Sequence, residues 1–348
     1  MVAMNPTRAP ARRSRNWCAP IPPATRKPSS APVSKPNDPM TRTERGNDMD
    51  VLNLHAGATE IHPPAGFLLP GGKRIGVVFR MAYEWWSDGA WPGIGPMGNP
   101  LKGGIPDLNA VGWAEYGHRR GVHRVLEALA RNGVRASILV SGIMAERYPE
   151  EVKDIAQAGH DVVAHSYAMD VIPAYLDEAQ ERDNIRRTTD LIAAATGTAP
   201  LGWISPRGTP SHRTARLLAQ AGYLWHGDTL NDDMPYLVDF GDHAIVAVPG
   251  TMEVNDLPLV MRHGQPPSAM VDIFEDWLDY VRKWERTPQK IDPTVHAHVC
   301  GRPAGMAAFQ RLLEIATAAD DVWIGTRAEL ARHLMQAIGR PVPAHQQP

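Results

Sequence analysis

The sequence predicts an α/β fold in which helices alternate with the strands of a parallel sheet. In three stretches, a helix with periodic apolar residues is followed by a terminal glycine and a short apolar strand: 118–140, 149–166 and 210–226. This order is typical of α/β units that feed a parallel sheet. Seven or eight such strands over about 270 residues fit either a single barrel or an open doubly wound sheet.

The elements follow one another from residue 74 onwards. The apolar run RIGVVFRM at 74–81 predicts a buried strand. The stretch 87–117 is rich in Gly and Pro and predicts a long, functional loop. Further helices are predicted at 177–196, 268–286, 303–318 and 326–336, and further strands at 201–204, 245–249, 294–299 and 322–325.

Residues 1–60 differ from the rest of the chain, because they are rich in Pro, Arg, Ser and Thr and lack apolar periodicity. We expect them to be a disordered or non-native N-terminal extension. Residues 61–340 are then expected to form a single catalytic domain, and residues 341–348 a tail.

The composition argues against several classes of function. The 36 Lys and Arg residues nearly balance the 38 Asp and Glu residues, so no strong field attracts the protein to nucleic acid or to an anionic membrane. Two cysteines are too few for a disulfide framework, and the apolar runs are too short to span a bilayer. The glycine motifs of nucleotide-binding folds and the serine-hydrolase elbow are also missing from the sequence. We therefore expect a cytoplasmic protein without a nucleic-acid or membrane partner.

Ionisable residues gather at the ends of predicted strands, where parallel α/β barrels place their chemistry. Glu84, His165, Arg207 and His296 each end or follow such a strand. A lone histidine at a strand end is more often a structural hydrogen-bonding group, and an arginine there can pair with a nearby carboxylate. Taken together, a carboxylate, two imidazoles and a guanidinium form a set suited to hydrolysis.

Five segments resemble, in order, motifs of the polysaccharide deacetylase (NodB-homology) superfamily: RIGVVFRMAYEWW, HDVVAHSYAMD, PLGWISPRGTP, GDTLNDDMPY and VHAHVCGRPAGMAAFQRLLE. The similarity extends from about residue 65 to residue 336. It is closest to the branch of allantoinase-like proteins and cyclic-imide hydrolases. The resemblance implies a distorted (β/α) barrel with about seven parallel strands, assembled as a homo-oligomer.

Two positions depart from the pattern of the sugar-deacetylating relatives. Glu84 falls on a metal-ligand position and His165 on the first of two histidines. Ala82 replaces the acidic base, and Met169 replaces the second histidine. A thioether is a poor ligand for zinc. The resemblance therefore implies either no cofactor or a weakly held divalent metal, zinc if any, on Glu84 and His165.

Because two positions of the metal-dependent motif are changed, Glu84 is predicted to be the general base for a water molecule, with His165 and His296 as its partners. Arg207 matches the arginine that orients a carboxylate in the family. Either Arg207 or backbone amides would stabilise the oxyanion of amide hydrolysis. The candidates for contact with the substrate are Trp85, Trp86, Met169, Asp233 and Asn255.

The leading hypothesis is a hydrolase of non-peptide C–N bonds that opens the ring of a small cyclic amide, imide or ureide. Such rings have better leaving groups than acetamido sugars, and the Trp-rich loop at 87–117 would close a small pocket over them. Two alternatives remain open. One is a metal-dependent N-deacetylase or deformylase acting on an N-acyl amine or sugar, and the other is a catalytically inactive binding member of the family.

Overall fold

Helices and short strands alternate along the chain, as seen in a computed structural model that describes residues 52–97, 101 and 105–342. The strands are β1 (Thr59–Ile61), β2 (Ile75–Val77), β3 (Arg80–Tyr83), β4 (Ser137–Val140), β5 (Asp161–Ala164), β6 (Gly202–Trp203), β7 (Trp225–His226), β8 (Tyr236–Asp239), β9 (Ala244–Ala247), β10 (Gln289–Ile291), β11 (Thr294–His296) and β12 (Val322–Ile324). The helices are α1 (Leu108–Tyr116), α2 (Val122–Arg131), α3 (Gly142–Arg147), α4 (Pro149–Gln157), α5 (Glu178–Thr196), α6 (Thr214–Gln220), α7 (Ala269–Trp284), α8 (Pro303–Thr317) and α9 (Arg327–Ala337).

The main sheet has the strand order β1-β8-β9-β7-β6-β5-β4-β3-β11. All neighbours from β9 to β11 pair in parallel, whereas β8 pairs antiparallel with both β1 and β9. A smaller parallel sheet has the order β10-β2-β12, and β2 and β10 lead directly into β3 and β11. The predicted α/β fold with parallel strands is confirmed. The pairing of the described strands is open from β1 to β11, so closure into a barrel is not shown.

Successive side chains of β3 point to opposite faces of the sheet, one covered by helices and the other towards the cavity described below. Met81 and Tyr83 belong to the large apolar core that the helices cover. Arg80, Ala82 and Glu84 lie on the opposite face, because side chains alternate between the two faces of a strand. The interior face of β3 therefore carries a cation, a methyl group and a carboxylate in succession.

A close approach between two backbones fixes the position of the segment after β11. The π-helical turn Gly117–Gly121 joins α1 to α2 and lies against residues 297 and 298. A Cβ atom on Gly121 would stand 1.8 Å from the carbonyl oxygen of Ala297, so only glycine permits this contact. This contact fixes the position of the turn after β11, which carries His298.

Several predicted boundaries differ from the structure. The loop predicted at 87–117 is shorter, because Asp107 caps α1 by accepting hydrogen bonds from the backbone of Asn109 and Ala110. The strand predicted at 294–299 ends at His296, and a turn follows it. Strand β8 was not predicted from the sequence. No described helix is both long and apolar enough to cross a membrane.

The predicted N-terminal extension requires a correction at its end. Residues 1–51 lie outside the described residues. Residues 52–60, however, are part of the fold: β1 begins at Thr59 and pairs with β8, and His55 is buried with its Nε2 3.2 Å from Nε2 of His226. The domain boundary predicted after residue 60 is therefore too late. In the predicted tail, residues 343–348 lie outside the described residues.

Candidate active site

The carboxyl ends of the parallel strands surround a cavity of about 180 Å³. This is about six times the volume that one water molecule occupies in the liquid, so the cavity suits a small molecule. Six side chains predicted for the site line it: Glu84, His165, Met169, Arg207, Asn255 and His296. The structure therefore brings these six predicted side chains together around one cavity.

Glu84 is a buried carboxylate that faces two imidazoles. Its Oε2 atom lies 3.5 Å from His165 Nε2, and its Oε1 atom lies 3.8 Å from His298 Nε2. Burial raises the pKa of the Glu84 carboxyl, but the neighbouring imidazoles, His296 above all, outweigh burial and lower this pKa to about 2. Glu84 is therefore ionised at neutral pH. Both distances exceed a direct hydrogen bond, so its oxygens can accept one from a ligand.

The backbone around His165 directs its ring towards Glu84. His165 follows β5, and the next residue, Ser166, adopts a left-handed conformation with φ 57°. The Asn184 amide donates a 2.7 Å hydrogen bond to the Ser166 hydroxyl, which stabilises this strained turn. His165 Nδ1 lies 2.5 Å from the carbonyl oxygen of Ile204, so Nδ1 carries the proton and Nε2 is directed at the carboxylate.

His296 is paired with a buried carboxylate that the sequence did not single out. Its Nδ1 atom lies 2.6 Å from Asp256 Oδ1, and its backbone N–H donates to Asp256 Oδ2 at 2.8 Å. Burial lowers the pKa of His296, but the charges of Asp256 and Glu84 outweigh burial and raise it. His296 therefore favours the protonated form that a general acid needs. Asp256 lies in the loop that follows the strand predicted at 245–249, and this position was the signal for it.

Arg207 lies at the mouth of the cavity rather than beside a carboxylate. It is exposed, has a φ of 59°, and lines the cavity. No hydrogen bond or ion pair joins its side chain to another described residue. The structure therefore shows no carboxylate that Arg207 orients. The buried Asp228 is held instead by the backbone and hydroxyl of Ser205, at 2.6 and 2.7 Å.

The predicted contacts of two tryptophans and one aspartate need correction. Trp86 packs edge-on against the His298 ring, and Trp113 does the same at a centroid distance of 4.5 Å. Trp85 packs against Trp86. Among the described residues, these indoles shield an imidazole and do not line the cavity. Asp233 lines a separate, open groove, because the loop after β7 carries it outward.

The donor set at Glu84 does not fit a zinc site. A catalytic zinc needs three protein ligands and one open position. Within residues 52–97, 101 and 105–342, no group of three His, Cys, Asp or Glu side chains is arranged to hold a metal ion. Met169 lines the cavity where the second histidine of the motif would stand. We therefore derive no chemical step through a metal.

A second buried cluster of charges lies deeper in the structure and was not predicted. Asp292 accepts from Lys290 Nζ at 2.9 Å and lies 3.1 Å from Arg327 Nη2. It also accepts from the backbone of Thr251 at 3.0 Å. Arg80 donates to the carbonyl oxygen of Thr251 at 3.3 Å and lines the cavity. The charged residue within the apolar run RIGVVFRM was the signal for this cluster.

A buried carboxylate, an imidazole oriented towards it and a second imidazole with a raised pKa form a set of groups suited to hydrolysis, held on an α/β fold. The polysaccharide deacetylase family matches residues 113–225. The chain is 26% identical to the peptidoglycan deacetylase of Helicobacter pylori over 226 residues, which cover 56% of this chain and 76% of that protein.

Two solved structures are similar over most of their length. Puue allantoinase has a TM-score of 0.71 and 28% identity, with 79% of this chain and 94% of that chain covered. A "probable Polysaccharide deacetylase" from Pseudomonas aeruginosa PAO1 has a TM-score of 0.70 and 28% identity, with coverages of 77% and 93%. These matches confirm the resemblance to the polysaccharide deacetylase superfamily. They also confirm the predicted enzyme class, hydrolases of non-peptide C–N bonds.

Proposed function

We propose that this protein hydrolyses a C–N bond in the ring of a small cyclic amide, imide or ureide, with Glu84 activating the water. The observation that carries the proposal is the position of Glu84: a buried, ionised carboxylate whose two oxygens face imidazoles at 3.5 and 3.8 Å on the wall of a small cavity. A carboxylate held in this way accepts a proton from a water molecule as that water attacks a carbonyl carbon.

The side chains around the cavity can perform both proton transfers of the reaction. Glu84 takes a proton as the water oxygen bonds to the ring carbonyl carbon, and Arg207 at the mouth stabilises the oxyanion. The C–N bond then breaks, and protonated His296 gives its proton to the leaving nitrogen. Asp256 stabilises the charged form of His296 until that step. The product is an open chain with a carboxylic acid and a free amide or amine nitrogen.

Two observations support a small ring over a polymer. The cavity has a volume of about 180 Å³, and buried residues form much of its wall. The chain is also similar to Puue allantoinase over 79% of its length. The same similarity supports our proposal that the sheet curves into a distorted (β/α) barrel. We further propose that the protein is a cytoplasmic homo-oligomer.

The second candidate function is removal of an N-acyl group from an amine or sugar. The similarity to the peptidoglycan deacetylase of Helicobacter pylori favours it. The residues around Glu84 argue against a metal-dependent deacetylase, because Ala82 and Met169 occupy two positions of the metal-dependent motif.

A substrate panel tests the proposed function. The full chain is assayed on hydantoin, succinimide, dihydrouracil and allantoin, and on N-acetylglucosamine oligomers, beside Glu84→Gln and the control Glu150→Gln, which alters an exposed carboxylate on α4. We expect opening of at least one ring that Glu84→Gln abolishes and Glu150→Gln preserves. Deacetylation of the sugar with no ring opened would contradict the proposal.

A further inference from the structure

One cation at the cavity has no use in the reaction just described. Arg80 is 5% exposed, and its guanidinium lines the cavity. Its Nη2 donates to the carbonyl oxygen of Thr251 at 3.3 Å, whereas its Nε has no hydrogen-bond partner among the described residues. A buried guanidinium with unused donors is costly unless an anion or acceptor completes it.

No described carboxylate forms a hydrogen bond or an ion pair with the Arg80 guanidinium. The hydrogen bonds and ion pairs of Asp292 join it to Lys290, Arg327 and Thr251. Burial, and then Arg327, lower the pKa of Arg80 to about 10, although the charge of Asp292 acts in the opposite direction, so Arg80 still carries its charge at neutral pH. This region of the interior therefore holds three cations around one carboxylate. An anionic ligand would offset that excess.

The register of the strands places a further donor beside Arg80. Arg80 on β3 is opposite Thr294 on β11, and Thr294 in turn bridges to Asn255. Residues in register on adjacent strands point to the same face, and all three line the cavity. Asn255 Oδ1 accepts from the backbone of Leu257 at 3.0 Å, which leaves its Nδ2 for a ligand. Exposed Arg262, at the end of the π-helical turn Leu257–Arg262 that follows Asn255, also lines the cavity and adds a guanidinium to it.

Ala82 leaves space between this set of donors and the reacting carboxylate. Arg80 and Ala82 of β3 and Glu84 directly after it follow one another at intervals of two residues and line the same cavity, so their Cα atoms are separated by about 6.6 Å per interval in extended backbone. The methyl group of Ala82 contributes no charge and little volume. A ring carbonyl at Glu84 can therefore belong to a molecule whose other end reaches Arg80.

We propose that the substrate is a cyclic amide, imide or ureide that carries a carboxylate, and that Arg80, Asn255 and Arg262 bind this carboxylate. We call these three residues the anion subsite. The inference rests on the proposed function. Glu84 and Asp228 also line the cavity, but three imidazoles surround Glu84 and Ser205 holds Asp228, so neither carboxylate lies against the anion subsite without compensation.

Paired substrates test the anion subsite by kinetics. The full chain is assayed on hydantoin and hydantoin-5-acetate, and on dihydrouracil and dihydroorotate. We expect kcat/KM to favour the carboxylated ring by about 10- to 100-fold, the effect of one charge-assisted hydrogen bond or two weaker ones. Arg80→Gln and Arg262→Gln should reduce this preference through KM, and the control Arg186→Gln, on the exposed face of α5, should keep it. Equal rates on both members of each pair would overturn the inference.

A second pair of variants keeps the test valid if Arg80→Gln does not fold. Ala82→Asp adds a carboxylate beside Arg80 and should remove the preference for the carboxylated ring, whereas the uncharged Ala82→Asn should retain it. An equal effect of the two would contradict the anion subsite.

Binding separates the two proposals. Calorimetry of Glu84→Gln with hydantoin-5-acetate and hydantoin measures the anion subsite without turnover. Arg80-dependent binding of the acid with no ring ever opened would refute the proposed function and support the anion subsite. Opening of neutral and acidic rings at equal rates, together with equal binding of the two, would support the proposed function and refute the anion subsite.

Discussion

Two buried carboxylates lie on the interior side of the sheet, and their surroundings differ. Asp292 accepts hydrogen bonds from Lys290 and from the backbone of Thr251, and Arg327 pairs with it, so two buried cations hold it. Glu84 faces only imidazoles, at 3.5 and 3.8 Å, and it lines the cavity. Burial raises both pKa values, but both lie below the ordinary value, because the imidazoles around Glu84 and the cations around Asp292 outweigh burial.

The comparison shows that a lowered pKa alone does not identify a catalytic carboxylate. Asp292 is paired with two fully buried cations, Lys290 and Arg327, and does not line the cavity, so it joins strand ends together. Glu84 is surrounded by groups that can exchange protons and has oxygens left for a ligand. If the comparison is right, altering Glu84 affects the reaction, and altering Asp292 affects stability.

The largest effect is expected for Glu84→Gln. The amide keeps the shape of the side chain but cannot take a proton, so kcat should fall by about 10²- to 10⁴-fold. Steady-state kinetics measure this fall, and circular dichroism should show that the variant still folds. Turnover near that of the wild type would mean that Glu84 is not the base.

A large effect of another kind is expected for Asp292→Ala. The change leaves Lys290 and Arg327 buried without their carboxylate, which costs about 3–5 kcal/mol of unfolding free energy. Denaturant titration measures the loss. Asp321→Ala, which removes an exposed partner of Arg282, is the matched control and should cost at most about 1 kcal/mol. A small loss at Asp292 would remove the distinction between the two carboxylates.

A change in pH dependence is expected for Asp256→Asn. The Asp256 carboxylate raises the pKa of His296, and the reaction needs His296 protonated. Activity should therefore fall as pH rises through this pKa, and the fall should move to lower pH when Asn replaces Asp256. Profiles of kcat/KM against pH measure the shift. An unmoved alkaline limb would show that His296 is not the acid.

The smallest effect is expected for His298→Ala. Burial lowers the pKa of His298 to about 4, so this imidazole is neutral and contributes packing against Trp113 more than charge. Its loss should reduce kcat by about tenfold or less, and less than His296→Ala does. A greater loss of kcat for His298→Ala than for His296→Ala would mean that His298, and not His296, is the general acid.

The strand-end rule explains how much of the site was predictable. Glu84, His165 and His296 were found because polar residues after buried strands meet at one edge of a parallel sheet. Asp256 and His298 act through side-chain directions and turns, which residue spacing does not specify. Arg80 was missed because a single charge inside an apolar run was treated as part of a strand.

The errors in the fold have similar causes. Strand β8 pairs antiparallel with β1 and with β9 at the far edge of the sheet, and no helix–strand repeat in the sequence indicates β1 or β8. The tryptophans were expected at the cavity because of their loop, but tertiary packing directs Trp86 and Trp113 onto His298. Asp233 lies on a loop whose course only the structure determines.

The most direct test of the central claim, that Glu84 activates water without a metal, is turnover of a ring substrate before and after treatment with a strong chelator, with the metal content of the same samples measured. The account predicts a kcat unchanged within about twofold at well under one metal ion per chain. Loss of activity on chelation, restored by one equivalent of zinc, would contradict it.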